Sequence, residues 1–191
     1  KFYTLAGHQI PEGKKGDGSP ITAFIDMDKN DTILEVLSTE NLKTDHIVVC
    51  SQDGKGFKVL VENVLAQTRL GKKVMAVKTP IEMSFCRPLP SRSYIAFVGE
   101  NRRLLIIREE DIPAMQKGRG VQLQKYQGGT LSDILIFSEE EGLFWQTKSR
   151  CKKVKDWLYW LGQRAARGRL CPNGFPKNNK FFAIEKNIKE E

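Results

Sequence analysis

His46-Ile47-Val48-Val49-Cys50, then Asp53-Gly54-Lys55-Gly56-Phe57 and Val59-Leu60, return 47 residues later as Ser93-Tyr94-Ile95-Ala96-Phe97, Glu100-Asn101-Arg102-Arg103-Leu104 and Ile106-Ile107. Apolar stands over apolar and turn over turn. Further along, Gly71-Lys72-Lys73-Val74 stands over Gly118-Arg119-Gly120-Val121, and Lys78 over Lys125. A repeat of this period is the sequence mark of a solenoid or propeller, in which each unit cannot bury its apolar faces alone. Within one copy, two apolar runs flank a short polar turn, Gln52–Lys55 or Gly99–Arg102, which predicts a β-hairpin. A short polar stretch and a Gly/basic tract follow. Two more strands are then expected, over Val74–Val77 and Met83–Cys86, or Val121–Lys125 and Ile134–Phe137. About four strands in such a period is the size of a propeller blade.

Partial units flank the two clear copies. Upstream, Ile21–Asp26 and Thr32–Leu37 predict a hairpin around Asp28-Lys29-Asn30-Asp31. Downstream, Leu143-Phe144-Trp145 falls 47 residues after Ala96-Phe97-Val98, and the pattern then breaks. Lys155–Ala166 reads as a short helix with Trp157, Leu158 and Leu161 on one side. The expected organisation is a single all-β region of about four blade equivalents, over 1–45, 46–92, 93–142 and 143–180, with a charged tail over 181–191.

Composition restricts function. The 191 residues are 40% hydrophobic and 28% charged, which is globular and not disordered. No aliphatic run approaches the length of a membrane helix, so no membrane partner is expected. The chain opens Lys1-Phe2-Tyr3-Thr4 and is expected to be a piece of a longer protein. Cys50, Cys86, Cys151 and Cys171 form no C-x-x-C, and the only histidines are His8 and His46, which argues against zinc and against a disulfide framework. Free thiols of a cytoplasmic protein are the expectation. Asp26 and Asp28 are placed in a turn, not at a cation. No catalytic constellation and no P-loop spacing appear.

Net charge is +8, distributed as −3 over 1–46, +5 over 47–93, −2 over 94–142 and +8 over 143–191. Such an excess predicts a polyanionic partner. Three tracts share one grammar: Gly13-Lys14-Lys15-Gly16, Arg69-Leu70-Gly71-Lys72-Lys73 and Gln116-Lys117-Gly118-Arg119-Gly120. Glycine lets the backbone turn and offers bare N–H groups to phosphate oxygens, while lysine and arginine displace counterions. Recurring in each unit, the tracts are expected along one edge of the array. The candidate DNA contacts are Lys55, Arg69, Lys72, Lys73, Arg102, Arg103, Lys117, Arg119 and Lys125, with Gly54, Gly71, Gly118 and Gly120 as structural glycines. A second basic cluster adds Lys148, Arg150, Lys152, Lys153, Lys155, Arg164, Arg167 and Arg169. Trp157 and Trp160, at helical spacing, are expected in the core.

Val98-Gly99-Glu100-Asn101-Arg102-Arg103-Leu104-Leu105, Lys117-Gly118-Arg119-Gly120-Val121-Gln122-Leu123-Gln124-Lys125-Tyr126 and Gly128-Gly129-Thr130-Leu131-Ser132-Asp133 resemble the C-terminal domain of the A subunit of bacterial type II topoisomerases, the topoisomerase IV members in particular. Ser51–Phe57, Ala66–Lys72 and the closing Pro172-Asn173-Gly174-Phe175-Pro176 fit the same family. The resemblance implies a β-pinwheel, a propeller-like disc of four-stranded blades that exchange strands. It implies a rim that binds and bends duplex DNA, a cytoplasmic, nucleoid-associated enzyme, and a heterotetramer with a B subunit. ATP and magnesium would be bound elsewhere in that enzyme, with no cofactor in this chain. The family's catalytic tyrosine follows an arginine, and none of Tyr3, Tyr94, Tyr126 and Tyr159 does. The gyrase wrapping box, Gln-Arg-Arg-Gly-Gly-Lys-Gly, is absent, and Gln116–Gly120 is its nearest match. Three other readings stand beside this one: the C-terminal wrapping domain of a gyrase A subunit, a propeller used as a protein-interaction scaffold, and a carbohydrate- or metal-handling enzyme built on a propeller, which would need a convergent acid or histidine cluster.

Overall fold

The computed structural model describes residues 1–10, 18–147 and 150–182. Its strands are β1 (His46–Ser51), β2 (Lys55–Leu60), β3 (Met83–Pro88), β4 (Tyr94–Gly99), β5 (Arg103–Arg108), β6 (Val121–Gln122), β7 (Leu131–Phe137), β8 (Leu143–Gln146), β9 (Cys151–Val154) and β10 (Arg169–Leu170). They form two four-stranded sheets, in the orders β3-β1-β2-β6 and β10-β5-β4-β7, and a hairpin β8-β9. All ladder pairings are antiparallel. The α-helical content among the described residues is the single turn Val61–Val64.

The sheets are blades that exchange strands. By sequence, β6 belongs to the second repeat, yet it pairs with β2 of the first, Lys55 with Gln122 and Gly56 with Val121. In the same way β10 lies on β5, Arg169 with Leu104 and Leu170 with Arg103. The outer strand of each blade thus comes from the unit that follows it. This is the pinwheel arrangement.

The ladders correct the repeat length. Ile47 pairs with Val59, and Ile95 with Ile107. A register shift falls at Cys50/Ser51 against β3 and at Val98/Gly99 against β7. Equivalent residues are therefore 48 apart, not 47. A one-residue slip turns every side chain to the opposite face. Hydrophobicity alone does not expose the slip, because both faces of these strands are buried. Val48 and Cys50 enter one core together with Ile95, Phe97, Leu105 and Ile107, while Ile47 and Val49 enter another with Phe57 and Val59. Ala96, Val98, Leu104 and Ile106 enter a third core with Trp145 and Trp157. Alternation of side chains along a strand thus cements each blade to the blades on either side.

Three sequence expectations give way. Ile21–Asp26 and Thr32–Leu37 form no hairpin. Ile21–Ala23 is a 3-10 turn, held where Arg69 donates to the carbonyl of Ala23 at 2.9 Å, and residues 32–38 belong to no strand or helix. Val36, in that segment, is 82% exposed. Val74–Val77 is not a strand, although Val74 and Met75 are buried and Met75 bridges Gly118. Lys155–Ala166 is not a helix but a 3-10 turn over Trp157–Trp160. Helix propagation stops because the next residues are recruited by β5: Leu161 bridges Ile106, and the Gly162 amide donates to the Ile106 carbonyl at 2.9 Å. Leu158 is consequently exposed, while Trp157 packs edge-on against Tyr94 and Phe137 with ring centroids at 4.6 and 5.4 Å.

Residues Pro172–Phe182 form a strap across the second blade and the β8-β9 hairpin. Phe175 and Phe181 are buried, so the core extends into the start of the expected tail. Arg102 holds the strap by donating to the carbonyls of Phe175 (3.2 Å) and Pro176 (3.0 Å) and to Oδ1 of Asn179 (3.1 Å). The Phe181 amide donates to the Asp133 carboxylate at 2.8 Å. Burial raises the pKa of that carboxyl, against the hydrogen bonds it accepts and the nearby Lys180 and Arg87.

Candidate nucleic-acid interface

Strand exchange places the basic loops. Before each exchanged strand the chain returns to the preceding unit through a glycine. In the second loop the return is Gly120 (φ 75°), where a Cβ would lie 2.8 Å from the Gly56 carbonyl oxygen. In a third loop it is Gly168 (φ 77°), 48 residues on, where a Cβ would lie 2.4 Å from the Leu104 carbonyl oxygen. Gly71 does the same against Phe2, and the neighbouring Lys72 exchanges two backbone hydrogen bonds with Phe2, at 2.7 and 2.9 Å. Gly54 and Gly118 also have positive φ, Gly54 in the β1-β2 turn and Gly118 at the crest of the second loop.

Residues Arg164, Arg167 and Arg169 are thus the third copy of the tract, not members of a separate C-terminal cluster as the charge distribution suggests. The signal is present in Gly120 and Gly168, but only the 48-residue register brings them into line. The first tract, Gly13–Gly16, and Lys148 lie outside the described residues.

The loops form one continuous row. Gly118 donates to the Val74 carbonyl at 2.9 Å and accepts from the Ala76 amide at 2.7 Å, so the second loop lies against the backbone that leaves the first. The third repeats this: the Ala165 amide donates to the Leu123 carbonyl at 2.8 Å, and the Ala166 carbonyl accepts from the Lys125 amide at 3.0 Å. Gln124, fully buried, fastens the third loop. Its Nε2 donates to the carbonyls of Arg103 (3.2 Å) and Arg167 (3.0 Å), and its Oε1 accepts from the Tyr126 hydroxyl (3.0 Å). Burial raises the Tyr126 phenol well above its usual range. Gln124→Met should therefore destabilise the fold by about 1–3 kcal/mol, since buried groups lose their partners, and a lowered urea midpoint measures it.

The basic side chains divide into two groups. Lys72, Lys73, Arg103, Lys117, Arg119, Lys125, Arg150, Lys155, Arg164, Arg167 and Arg169 are exposed. Among the described residues none of their side chains has an ion-pair or hydrogen-bond partner. The others have tasks inside the protein. Lys55 pairs with Asp53, and Arg69 lies 3.5 Å from Asp26. Arg102 holds the strap. Lys152 donates to the Asn173 carbonyl (3.0 Å) beside the Trp145 ring, and Lys153 to the Glu140 carbonyl (2.7 Å). Guanidinium and ammonium donors engaged this way are less free to turn toward a phosphate than the unpaired ones.

The remaining chemistry is sparse. Cys50 and Cys86 are buried, and burial pushes the Cys86 thiol up to about 12. Among the described residues no group of three histidines, cysteines or carboxylates is placed to hold a metal ion. Among them, too, no helix is long and apolar enough to cross a membrane.

Known proteins match this architecture. A family model described as DNA gyrase C-terminal domain, beta-propeller, matches residues 45–80 and 93–138, the hairpins of the two four-stranded blades. The A subunit of DNA topoisomerase 4 from Rickettsia bellii (strain RML369-C) is 41% identical over 182 residues, covering 95% of this chain and 24% of its own length. The protein of the same name from Caulobacter vibrioides is 33% identical over 95% of this chain and 23% of its own length. The chain spans about a quarter of the length of the curated relatives it matches. Among solved structures, the E. coli ParC C-terminal domain superimposes with a TM-score of 0.76 at 17% identity, over 92% of this chain and 74% of that one. A C-terminal domain of DNA topoisomerase IV gives 0.67 at 15% identity, over 80% of this chain and 49% of that one.

Proposed function

The chain belongs to the family of C-terminal β-propeller domains of the gyrase and topoisomerase IV A subunits, and from that premise we propose that it binds and bends duplex DNA for a type II topoisomerase. The observation that carries the proposal is the row of three basic loops. Each is fixed to its neighbour by backbone hydrogen bonds, and each presents cations with no carboxylate paired to them among the described residues. A duplex displays phosphates at regular spacing, so a periodic, backbone-fixed row of cations suits it better than a diffuse charge does. The readout is of phosphate, hence nearly independent of sequence.

The parent in this proposal is the A subunit of topoisomerase IV, working with an ATP-hydrolysing B subunit in the cytoplasm at the nucleoid. The domain holds the duplex that is to be transported during decatenation and relaxation. Absence of the Gln-Arg-Arg-Gly-Gly-Lys-Gly box favours this parent over gyrase. The fragment itself carries no nucleophile for strand cleavage in this reading: no tyrosine follows an arginine, and Tyr126 packs against the core. The purified chain should therefore retard linear duplex of any sequence. It should leave supercoiled plasmid unchanged and form no covalent adduct, with or without ATP and magnesium. Adducts that survive denaturation, or binding restricted to one sequence, would refute the proposal.

A further inference from the structure

The third loop contains a feature absent from the other two. Arg169 lies on β10 with its guanidinium carbon 4.1 Å from the centre of the Tyr159 ring. The residue directly after the return glycine is Val121 in the second loop and Lys72 in the first, and neither places a cation over an aromatic ring. Tyr159 is 56% exposed on the 3-10 turn over Trp157–Trp160, where burial does not account for an aromatic side chain. Both partners of the stack stand on locked elements. Arg169 is fixed by its pairing with Leu104 and by the close approach of Gly168. The turn that carries Tyr159 is tied to the same strand by the Trp160 indole N–H, which donates to the Leu170 carbonyl at 2.7 Å, and Tyr159 rests edge-on against Trp160.

We propose that Tyr159 is a positioning residue for the DNA contact of Arg169. The inference rests on the DNA-binding reading above. A guanidinium is planar, and an aromatic face holds it flat while leaving its N–H edge free for two phosphate oxygens. Among the described residues no carboxylate or carbonyl competes for that edge. The ring fixes the plane before DNA arrives, so less rotamer freedom is lost on binding. Arg169 is then a stronger contact than the flexible lysines of the first loop, and Tyr159 contributes without touching DNA.

A double-mutant cycle on the full 191-residue chain tests this, read as duplex affinity by fluorescence anisotropy at fixed salt. Tyr159→Ala should weaken binding roughly two- to five-fold, the size of an exposed cation–π interaction. Tyr159→Phe, which keeps the face, should bind like the parent. Arg169→Lys, which keeps the charge but not the plane, should lose about as much as Tyr159→Ala. In an Arg169→Ala background Tyr159→Ala should cost nothing more. Unchanged thermal midpoints show that the variants are folded, as expected for a side chain this exposed. If Tyr159→Ala costs the same in both backgrounds, the ring touches DNA directly and the proposal is overturned. If Arg169→Ala and the variants of the other loops weaken binding while Tyr159→Ala does not, the proposal fails and the DNA-binding reading survives. If none of them alters binding, both fall.

Discussion

The Lys72→Glu, Lys73→Glu, Arg119→Glu variant should bind duplex DNA on the order of a hundredfold more weakly than the parent near 0.1 M salt, because each reversal removes a phosphate contact and adds a repulsion. Its thermal midpoint should stay close to that of the parent. These side chains are exposed and have no intramolecular partner among the described residues. Surface changes of that kind typically cost within about 0.5 kcal/mol. The comparison that gives the result meaning is Lys152→Glu, Lys153→Glu, Lys155→Glu, with the same change in charge. Lys152 and Lys153 are engaged with the carbonyls of Asn173 and Glu140, so this variant should lose much less affinity. Anisotropy titrations of both against one labelled duplex decide the matter. If the second variant loses nearly all binding and the first little, the site is the β8-β9 hairpin and the loops are turns only.

The largest effect on stability should come from two glycines. Gly120→Ala and Gly168→Ala should each destabilise the fold by at least about 2 kcal/mol, combining positive-φ strain with steric overlap. The overlap is with backbone, at Gly56 and Leu104, so no side-chain rotation relieves it. The strand behind each glycine must move away from the blade it completes, which unpairs β6 from β2 or β10 from β5. Gly128→Ala supplies the control. Its φ is 77°, but a Cβ there meets nothing within 4 Å, so only the conformational cost of about 1–2 kcal/mol is expected. Urea denaturation of the three variants separates overlap from strain. Equal losses at Gly120 and Gly128 would mean that close backbone approach is not what holds the exchanged strand.

Much of this fold can be read from the chain because its central strands, β1, β4 and β5, are buried on both faces. Ile47–Cys50 and Leu104–Ile107 are apolar throughout, so the hairpins stand out between turns such as Asp53-Gly54 and Asn101-Arg102. The same property conceals the register, since a run without alternation aligns equally well at 47 and at 48. Strand exchange is legible only through the resemblance. Gln122 pairs with Lys55 across most of a blade and a half, and nothing local in Val121-Gln122 specifies so distant a partner. The helix expected over Lys155–Ala166 has real helical periodicity in Trp157, Leu158 and Leu161. It is overridden because β5 takes Leu161 and Gly162 as edge partners. Residues 32–37 include the strand-favouring Thr32, Ile33 and Val36 but have no neighbouring strand to pair with, and a segment without a partner is not a sheet.

The proposed interface is legible in kind but not in detail. Residue type and glycine spacing locate the loops at Gly71 and Gly118. They do not separate cations free for a ligand from cations already engaged. Arg102 is the sharpest case: next to the exposed Arg103 in sequence, it has φ 59° and turns its donors onto Phe175, Pro176 and Asn179. Those partners lie more than 70 residues away, beyond any local pattern. Tyr159 escapes notice for a related reason. In sequence it reads as part of an aromatic helix, and only the stacking of β10 against the 3-10 turn sets it beneath Arg169.

The most direct test of a phosphate-reading row is the salt dependence of duplex affinity. The logarithm of the association constant of the 191-residue chain should be measured between about 50 and 200 mM monovalent salt, where counterion release dominates. With each of the three loops neutralising at least one phosphate, the plot against the logarithm of salt concentration should be linear with a slope of about −2.7 or steeper. The Lys72, Lys73, Arg119 charge-reversal variant should give a visibly shallower line. A flat line, or one parallel to that of the variant, would contradict the account.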